Sequence, residues 1–129
     1  MDASALPVSE QTIAELVDRF YDRIRADARL GPMFTEAIPD WDGHLKIMRD
    51  FWSAVLLRTS RYSGCVMSPH FSLPIEAGDF DRWLELFRPS VAETLPPEAA
   101  ERALAVAEGV TARLRHMFQA KRAQAQARA

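Results

Sequence analysis

Apolar side chains recur at steps of three and four residues along most of this chain, the spacing that places them on one face of an α-helix. The first such segment follows Ser9, a residue suited to an N-cap, and Val8 and Ile13 are placed to form a hydrophobic staple around it. Its apolar stripe continues to Ile24. No segment alternates apolar and polar residues convincingly, as a half-buried strand does. The spacing therefore predicts an all-α fold.

The same periodicity predicts three further helices, which are expected from about Asp40 to Leu57, from about Asp79 to Glu93, and from the "LPPE" of residues 95–98 onwards. The last and longest of them is expected to fray into a polar tail over residues 119–129. Neither a repeat nor a low-complexity linker interrupts the pattern. We therefore expect one domain over residues 1–129, with its core at about 9–118.

Between the first two helices the chain carries the sequence "LGPMF". Glycine and proline are the strongest local breakers of regular structure, so Gly31 and Pro32 are expected to end the helical pattern. The apolar residues that follow are then expected in a short irregular connection: Met33, Phe34 and Ile38.

Composition excludes several classes of function. The chain has 129 residues, of which 48% are hydrophobic and 26% charged, and its formal net charge of -2 provides no basic field for nucleic acid or anionic lipid. Neither a secretory signal nor an apolar run long enough to span a membrane is present in the sequence. The single cysteine, Cys65, excludes an internal disulfide and favours a reducing cytoplasm. The three histidines show none of the paired spacings of a structural zinc site.

One irregular stretch, between Leu57 and Asp79, lacks helical periodicity, and a loop of that length in a compact domain is usually functional. It contains "CVMSPHFSLP", which places His70 between two prolines. The serine and proline before His70 suit the start of a helical turn, and the second proline opposes its continuation. His70 is therefore expected on a short, stiff element.

The surroundings of His70 allow two interpretations. A solvent-exposed loop position is the commoner case for an arbitrary histidine. The apolar neighbours and the stiffness favour instead a neutral imidazole that ligates haem iron on the proximal side, with its second ring nitrogen donating to a carbonyl or hydroxyl. One protein ligand suffices there, because the porphyrin supplies four nitrogens to the iron. His70 is thus a candidate iron ligand without any cluster of metal-binding residues.

Three polar side chains interrupt the predicted apolar stripes, namely Tyr21, His44 and Trp83. A buried hydroxyl or indole N–H needs a partner, whereas a lone histidine on an apolar stripe is more often a satisfied core or boundary residue. If the three converge, they offer hydrogen-bond donors to the partial negative charge of a haem ligand. One such bond is worth about 1–3 kcal/mol, which slows ligand release roughly five- to hundred-fold.

Five spaced motifs resemble those of the group III truncated haemoglobins, and they agree with that family in order and separation: "FYDRIRADARLGPMF", "WDGHLKIMRDFWSAVLL", "RYSG", "HFSLP" and "FDRWLELF". The similarity covers about residues 10–118. It implies the truncated globin fold, a two-over-two helical sandwich around one haem b.

The resemblance also implies roles for individual residues. His70 resembles the proximal iron ligand, and the distal tyrosine, histidine and tryptophan of the family are matched by Tyr21, His44 and Trp83. Phe34 matches the phenylalanine that packs on the porphyrin. The haem-facing side of the distal helix is matched by Met48, Phe51 and Trp52.

Contacts to the haem propionates are expected from charge and position alone. The residues so placed are Arg58, Arg61 and Tyr62, which follow the predicted second helix. A solvated basic cluster is an equally good interpretation of these three residues.

We therefore expect a cytoplasmic haem protein, with a pentacoordinate, histidine-ligated iron, that reversibly binds oxygen or another diatomic ligand and serves in oxygen binding or transport. The first alternative is redox turnover at the same haem, as a nitric oxide dioxygenase or a peroxidase-like enzyme. Since the chain has no flavin or nicotinamide module, such turnover needs an external reductase. The second alternative is a cofactor-free helical interaction module, which predicts a colourless protein.

Overall fold

Five α-helices form the regular structure of the computed structural model, which describes residues 8–62 and 75–127. They are α1 (Glu10–Ala26), α2 (Leu30–Ala37), α3 (Trp41–Leu57), α4 (Ala77–Thr94) and α5 (Pro97–Ala127). No strand occurs in either described range, and no helix there is long and apolar enough to cross a membrane. The predicted all-α fold is confirmed, and four of the helices lie where the periodicity predicts them.

The four long helices pack around a common core. α1 packs against α3 and α4, and α5 also packs against α3 and α4, so that the four helices form a closed ring of contacts. α2 packs on α1. Phe20 of α1 and Phe87 of α4 are buried at the centre, where their rings meet edge to face at 5.1 Å. This ring of helices is the frame that holds the cavity described below.

The start of α1 agrees with the sequence. Ser9 is the N-cap: its Oγ accepts a hydrogen bond from the backbone N–H of Thr12 at 3.1 Å, and Thr12 Oγ1 accepts one from the N–H of Ser9 at 3.3 Å. This reciprocal capping box satisfies two of the amide groups that a helix start leaves without partners. Val8 is partly buried against the core, and Ile13 is fully buried.

The prediction of a short irregular connection after α1 is wrong, because the chain forms α2 there. Gly31 and Pro32 are the second and third residues of this helix. A proline in the first turn sacrifices no helical hydrogen bond, since the first four N–H groups of a helix have no partner within it. Proline therefore marks the beginning of a helix here, and the expected connection residues lie in α2 or at its C-cap: Met33, Phe34 and Ile38.

Asp27, just before α2, supplies the partners that the first turn of α2 lacks. Its Oδ2 accepts hydrogen bonds from the backbone N–H groups of Arg29 at 3.1 Å and Leu30 at 2.9 Å. The corner between α1 and α2 is tight, because a Cβ added to Gly31 would lie 2.5 Å from the carbonyl oxygen of Arg25. A glycine is required where backbone approaches backbone this closely.

Two ion pairs tie this corner to the start of α4, and we call them the ion-pair bracket: Arg29–Asp79 and Arg82–Asp27. Arg29 binds Asp79 through two hydrogen bonds of 3.0 and 2.9 Å, and Arg82 Nε lies 2.6 Å from Asp27 Oδ1. Both carboxylates are buried. The hydrogen bond from Arg29 holds the pKa of Asp79 below its ordinary value. Burial alone would raise the pKa of Asp27, but its hydrogen bonds outweigh that effect and lower it.

α5 continues as a helix to Ala127, so the expected fraying from residue 119 is wrong, although residues 119–127 are all exposed. Alanine, glutamine, lysine and arginine are good helix formers, and their propensities act here without any packing. All 18 acidic residues of the chain lie at or before Glu108, whereas five of the 16 basic residues follow it. The projecting end of α5 is therefore purely basic.

Candidate functional site

The helices enclose a cavity of about 310 Å³ with a mostly apolar wall. This volume and lining are typical of a site for a small molecule or a cofactor. Every helix contributes to the wall. Eight of the residues that the sequence predicts for a cofactor site line this cavity: Tyr21, Phe34, His44, Met48, Phe51, Trp52, Tyr62 and Trp83.

The three polar side chains expected on one side of a cofactor lie close together. The rings of Tyr21 and His44 meet nearly at right angles, with centroids 5.1 Å apart. Trp83 is linked to Tyr21 through Phe20, whose ring lies 5.0 Å from Tyr21 and 4.8 Å from Trp83. A hydroxyl, an imidazole and an indole thus share one region of the cavity wall.

Tyr21 is only 5% exposed, although it carries a hydroxyl. Burial raises the pKa of the Tyr21 phenol far above its ordinary value, because the charged phenolate would lose its solvation. The group therefore stays protonated at neutral pH and keeps a hydrogen to donate. Within residues 8–62 and 75–127 no acceptor for this hydroxyl is found, and Tyr21 lines the cavity.

The first turn of α3 sets the position of His44. Asp40 is the N-cap, and its Oδ1 accepts a hydrogen bond from the backbone N–H of Gly43 at 3.1 Å. Trp41, one turn before His44, is a residue that sequence reasoning missed. Its ring lies 6.0 Å from both His44 and Tyr21. The spacing of three residues to His44 places the two on the same helix face and is the signal that could have found Trp41.

Beyond Trp41, the guanidinium of Arg25 lies 4.7 Å above the ring centroid of the tryptophan, in cation–π geometry. The indole Nε1 of Trp41 is buried and has no hydrogen-bond partner in the described part of the chain. Trp41 thus backs the Tyr21–His44 pair without lining the cavity itself.

A second group of rings forms another part of the wall. Trp52 and Trp83 both stack on Phe87, each with centroids 5.2 Å apart and interplanar angles of 22° and 18°. Phe51 packs edge to face against Trp52 at 5.1 Å and against Tyr62 at 5.3 Å. The close packing holds flat, rigid surfaces toward the cavity.

Two of the residues expected at the propionates lie away from the cavity. Arg61 does not line it, and its Nε lies 3.2 Å from Oε2 of Glu10. The same carboxylate oxygen accepts a 2.9 Å hydrogen bond from Ser53, which is fully buried in α3. Arg58 is exposed at the C-cap of α3, in the left-handed region with φ 58°. His70, the expected iron ligand, lies outside the described residues.

A family model described as bacterial-like globin matches residues 8–119. The chain belongs to the bacterial-like globin family. This globin is 34% identical over 89 residues to the group 3 truncated hemoglobin ctb of Campylobacter jejuni, a match covering 65% of this chain and 70% of that protein. It also superimposes on the crystal structure of group III truncated hemoglobin from Campylobacter jejuni. That match has a TM-score of 0.79 and 30% identity, and it covers 85% of this chain and 91% of the other.

These matches confirm the resemblance to the group III truncated haemoglobins and the truncated globin fold. Membership of the globin family supports haem binding, and globins bind small diatomic ligands. The cavity of this globin fits a haem, because a porphyrin needs apolar walls and the wall here is mostly apolar. The carboxylate that lines it, Asp79, is neutralised by Arg29.

Sequence reasoning missed much of the wall of the globin cavity. Helical periodicity cannot distinguish a side chain that faces a cofactor from one that faces another core residue. Ile47 carries a usable sequence signal, since it lies three residues after His44 and four before Phe51, on the face of α3 that lines the cavity. The remaining missed residues come from α2, α4, α5 and the segment before α4: Leu30, Met33, Ala37, Ile38, Ile75, Asp79, Phe80, Val106, Ala107, Val110, Thr111 and Leu114.

Proposed function

We propose that this globin reversibly binds oxygen or another diatomic ligand at a haem b whose iron has one protein ligand, His70, and one open position. The observation that carries this proposal is the adjacency of Tyr21 and His44 in the wall of a mostly apolar cavity, with Trp83 linked to them through Phe20. Few polar groups at defined places in an apolar wall suit a small, weakly polar ligand.

The haem, when bound, supplies an iron centre that a diatomic ligand can coordinate. Of the three histidines, His44 lines the cavity next to Tyr21, and His116 is exposed on α5. His70 is the histidine that we propose would hold the iron, as its resemblance to the proximal ligand of the family implies. Its ligating nitrogen must be unprotonated, and its other nitrogen must donate to a carbonyl or hydroxyl that fixes the ring.

Tyr21, His44 and Trp83 are proposed to donate hydrogen bonds to the bound ligand. Burial keeps the Tyr21 phenol protonated, so its hydrogen is available throughout the physiological pH range. One bond to a partly charged ligand is worth about 1–3 kcal/mol, or roughly a five- to hundred-fold slower release. We therefore propose tight binding of oxygen with slow dissociation.

The flat apolar side chains of the wall are proposed to pack on the porphyrin: Phe34, Met48, Phe51 and Trp52. Tyr62 and Arg61 are proposed to contact the propionates, which requires Arg61 to leave or share its ion pair with Glu10. We also propose that residues 1–129 form one globin domain, with its core at about 9–118. A cytoplasmic location is proposed from the single cysteine.

The proposal is tested by the absorption spectrum of the purified protein and by titration with haem. We expect a haem spectrum with a five-coordinate ferrous form, and we expect His70→Ala to lose stable haem binding. His116→Ala is the matched control, because this histidine is exposed on α5 and should leave the spectrum unchanged. A colourless wild-type protein that takes up no haem would contradict the proposed haem binding. A His70→Ala variant with the wild-type ferrous spectrum would contradict the role of His70 as the iron ligand.

A second candidate function, nitric oxide dioxygenation or peroxidase-like turnover, is favoured by the same polar group of Tyr21, His44 and Trp83. A polar ligand pocket supports activation of oxygen as well as its binding. Turnover requires an external reductase, since the sequence contains no flavin or nicotinamide module. Mixing the oxygenated protein with nitric oxide in a single turnover separates the functions: rapid, stoichiometric nitrate formation supports the enzyme, and slow ligand exchange supports the carrier.

A further inference from the structure

All the readily oxidised rings of this chain, three tryptophans and two tyrosines, belong to one connected set of ring contacts. At one end, Trp41 contacts Tyr21 with centroids 6.0 Å apart. Tyr21 reaches Trp83 through Phe20, at 5.0 and 4.8 Å. These contacts surround the region of the wall where a haem ligand is proposed to bind.

The set continues from Trp83 to the other end. Trp83 and Trp52 both stack on Phe87, each with ring centroids 5.2 Å from it. Trp52 then reaches Tyr62 through Phe51, at 5.1 and 5.3 Å. Four of the five oxidisable rings line the cavity, so an electron could leave any of them toward a haem held there. The rings differ in how well each can be stabilised as a radical after it has lost an electron.

Two rings are poor sites for a lost electron. Tyrosine at neutral pH gives up its phenol proton together with the electron, and Tyr21 is 5% exposed with no acceptor for that proton among the described residues. Burial also raises the pKa of its phenol. Trp41 lies 4.7 Å beneath the guanidinium of Arg25, and that positive charge opposes the formation of an indole radical cation.

Trp52 and Trp83 are better suited to relaying an electron than to forming a lasting radical. Trp52 is buried, and Trp83 is held between Phe20 and Phe87. Tyr62 is half-buried, as Trp83 is, but it differs from both tryptophans because it follows the exposed residue Arg61 and becomes a neutral radical once water takes up its phenol proton. It also lines the cavity. Tyr62 thus joins the cavity to the solvent at the end of the connected set.

We propose that Tyr62 is the residue through which oxidising equivalents leave the haem pocket when the haem protein reacts with a peroxide. This inference rests on the proposed binding of haem in the cavity, and it names the residue that would serve the peroxidase-like turnover considered above. The activity is the one-electron oxidation of small reductants, such as phenols or ascorbate, at the protein surface near Tyr62.

Hydrogen peroxide is the oxidant in this reaction. Peroxide takes up two electrons and two protons and becomes two molecules of water. One electron and one proton come from the Tyr62 phenol, which becomes a neutral phenoxyl radical; the other electron comes from the haem and the other proton from solvent. One molecule of a phenol or ascorbate then returns an electron and a proton to Tyr62, and a second donor molecule restores the haem.

The test uses the haem-loaded ferric protein mixed with hydrogen peroxide and freeze-quenched for electron paramagnetic resonance. A parallel sample is treated with a nitroso spin trap, digested and mapped by mass spectrometry. We expect a tyrosyl signal in the wild type and a trap adduct on Tyr62, and we expect loss of that signal in Tyr62→Phe. The experiment is repeated in a Cys65→Ser variant, because the Cys65 thiol, three residues from Tyr62 in the sequence, can react with the radical during digestion.

Trp41→Phe is the matched control, since this variant removes an oxidisable ring from the other end of the set. We expect it to keep the tyrosyl signal and the adduct on Tyr62. An adduct confined to Tyr21 or to a tryptophan, or an undiminished tyrosyl signal in Tyr62→Phe, would overturn the inference while leaving the proposed function intact. A wild-type protein that binds no haem fails at the earlier, spectroscopic step and contradicts the proposed function itself.

Discussion

Tyr21 carries a hydroxyl, yet its side chain is almost completely buried. Burying a hydroxyl costs free energy unless it forms a hydrogen bond, and a bound ligand would supply the acceptor. Its hydrogen is retained because burial raises the pKa of the phenol. The ring is fixed by Phe20, Trp41 and His44, at distances from 5.0 to 6.0 Å. A donor that is both protonated and held in place is prepared to bind a ligand without further reorganisation.

Replacing Tyr21 with phenylalanine removes this donor and keeps the ring. We expect oxygen to dissociate roughly five- to hundred-fold faster, because one hydrogen bond of about 1–3 kcal/mol is lost from the bound state. Stopped-flow displacement of oxygen by carbon monoxide measures the rate.

Thr111→Val is the matched control for that experiment. Thr111 also lines the cavity, but its hydroxyl donates to the carbonyl of Glu108 at 3.1 Å and is not proposed to reach the ligand. Its removal should leave the dissociation rate unchanged. An equal acceleration in both variants would mean that hydroxyl loss acts through general loosening of the cavity, and Tyr21 would lose its proposed role.

At the scale of elements, α2 shows how local rules can mislead. Gly31 and Pro32 predict a helix break, yet they lie in the first turn of a helix. That turn tolerates proline, and the carboxylate of Asp27 accepts hydrogen bonds from backbone N–H groups that have no partner within the helix. The sequence signal for Asp27 was present, because aspartate is a common N-cap residue. The glycine and proline four and five residues later indicate a break instead.

Gly31→Ala should destabilise the corner between α1 and α2 even though alanine is the better helix former. The added Cβ would lie 2.5 Å from the backbone oxygen of Arg25, so the two helices must separate. We expect the free energy of unfolding to fall by about 1–3 kcal/mol, the usual cost of overpacking. Urea denaturation followed by circular dichroism measures it. Gly109→Ala in α5 is the control, since its Cβ meets nothing within 4 Å, and it should stabilise by about 0.5–1 kcal/mol.

The ion-pair bracket predicts a dependence of stability on pH. Both aspartate pKa values are lowered in the folded protein. The bracket therefore stabilises the fold above the ordinary carboxyl pKa of about 4, and this contribution is lost as the pH falls through the lower folded-state pKa. Asp79→Asn should cost about 1–2 kcal/mol of unfolding free energy near neutral pH, a modest value because Arg29 is 52% exposed.

The measurement is urea denaturation of the wild type and Asp79→Asn between pH 7 and about pH 3. The difference between the two proteins should be constant near neutrality and should narrow below about pH 4. Asp81→Asn is the control, since its ion pair with Arg115 is exposed and should contribute less than about 1 kcal/mol. A pH-independent difference for Asp79→Asn would assign its effect to packing and not to charge.

At the scale of the whole molecule, the fold could be predicted because apolar periodicity and capping residues act locally, as at Ser9 and Asp40. The site could be predicted only in part. Tyr21, His44 and Trp83 stand out as polar groups on apolar stripes, and the structure brings them together around Phe20. The residues of α5 that line the cavity show no such contrast between polar and apolar side chains. The ion pair of Arg61 with Glu10 depends on how α1 packs against the segment that follows α3, and the local sequence does not encode that packing.

The basic end of α5 gives this molecule an electric dipole that its net charge conceals. With a formal charge of -2, the protein should bind an anion exchanger, yet α5 beyond Glu108 contains no acidic residue and presents Arg113, Lys121 and Arg122, while Arg115 pairs with Asp81 of α4. Screening confines such fields to about 10 Å at moderate salt, so each end interacts with a resin separately. We expect retention on a cation exchanger as well, at low salt and neutral pH. Lys121→Glu should elute earlier from that column, whereas Lys46→Glu in α3 should not. A chain that is acidic as a whole would thus orient itself, with one particular end toward any negatively charged surface.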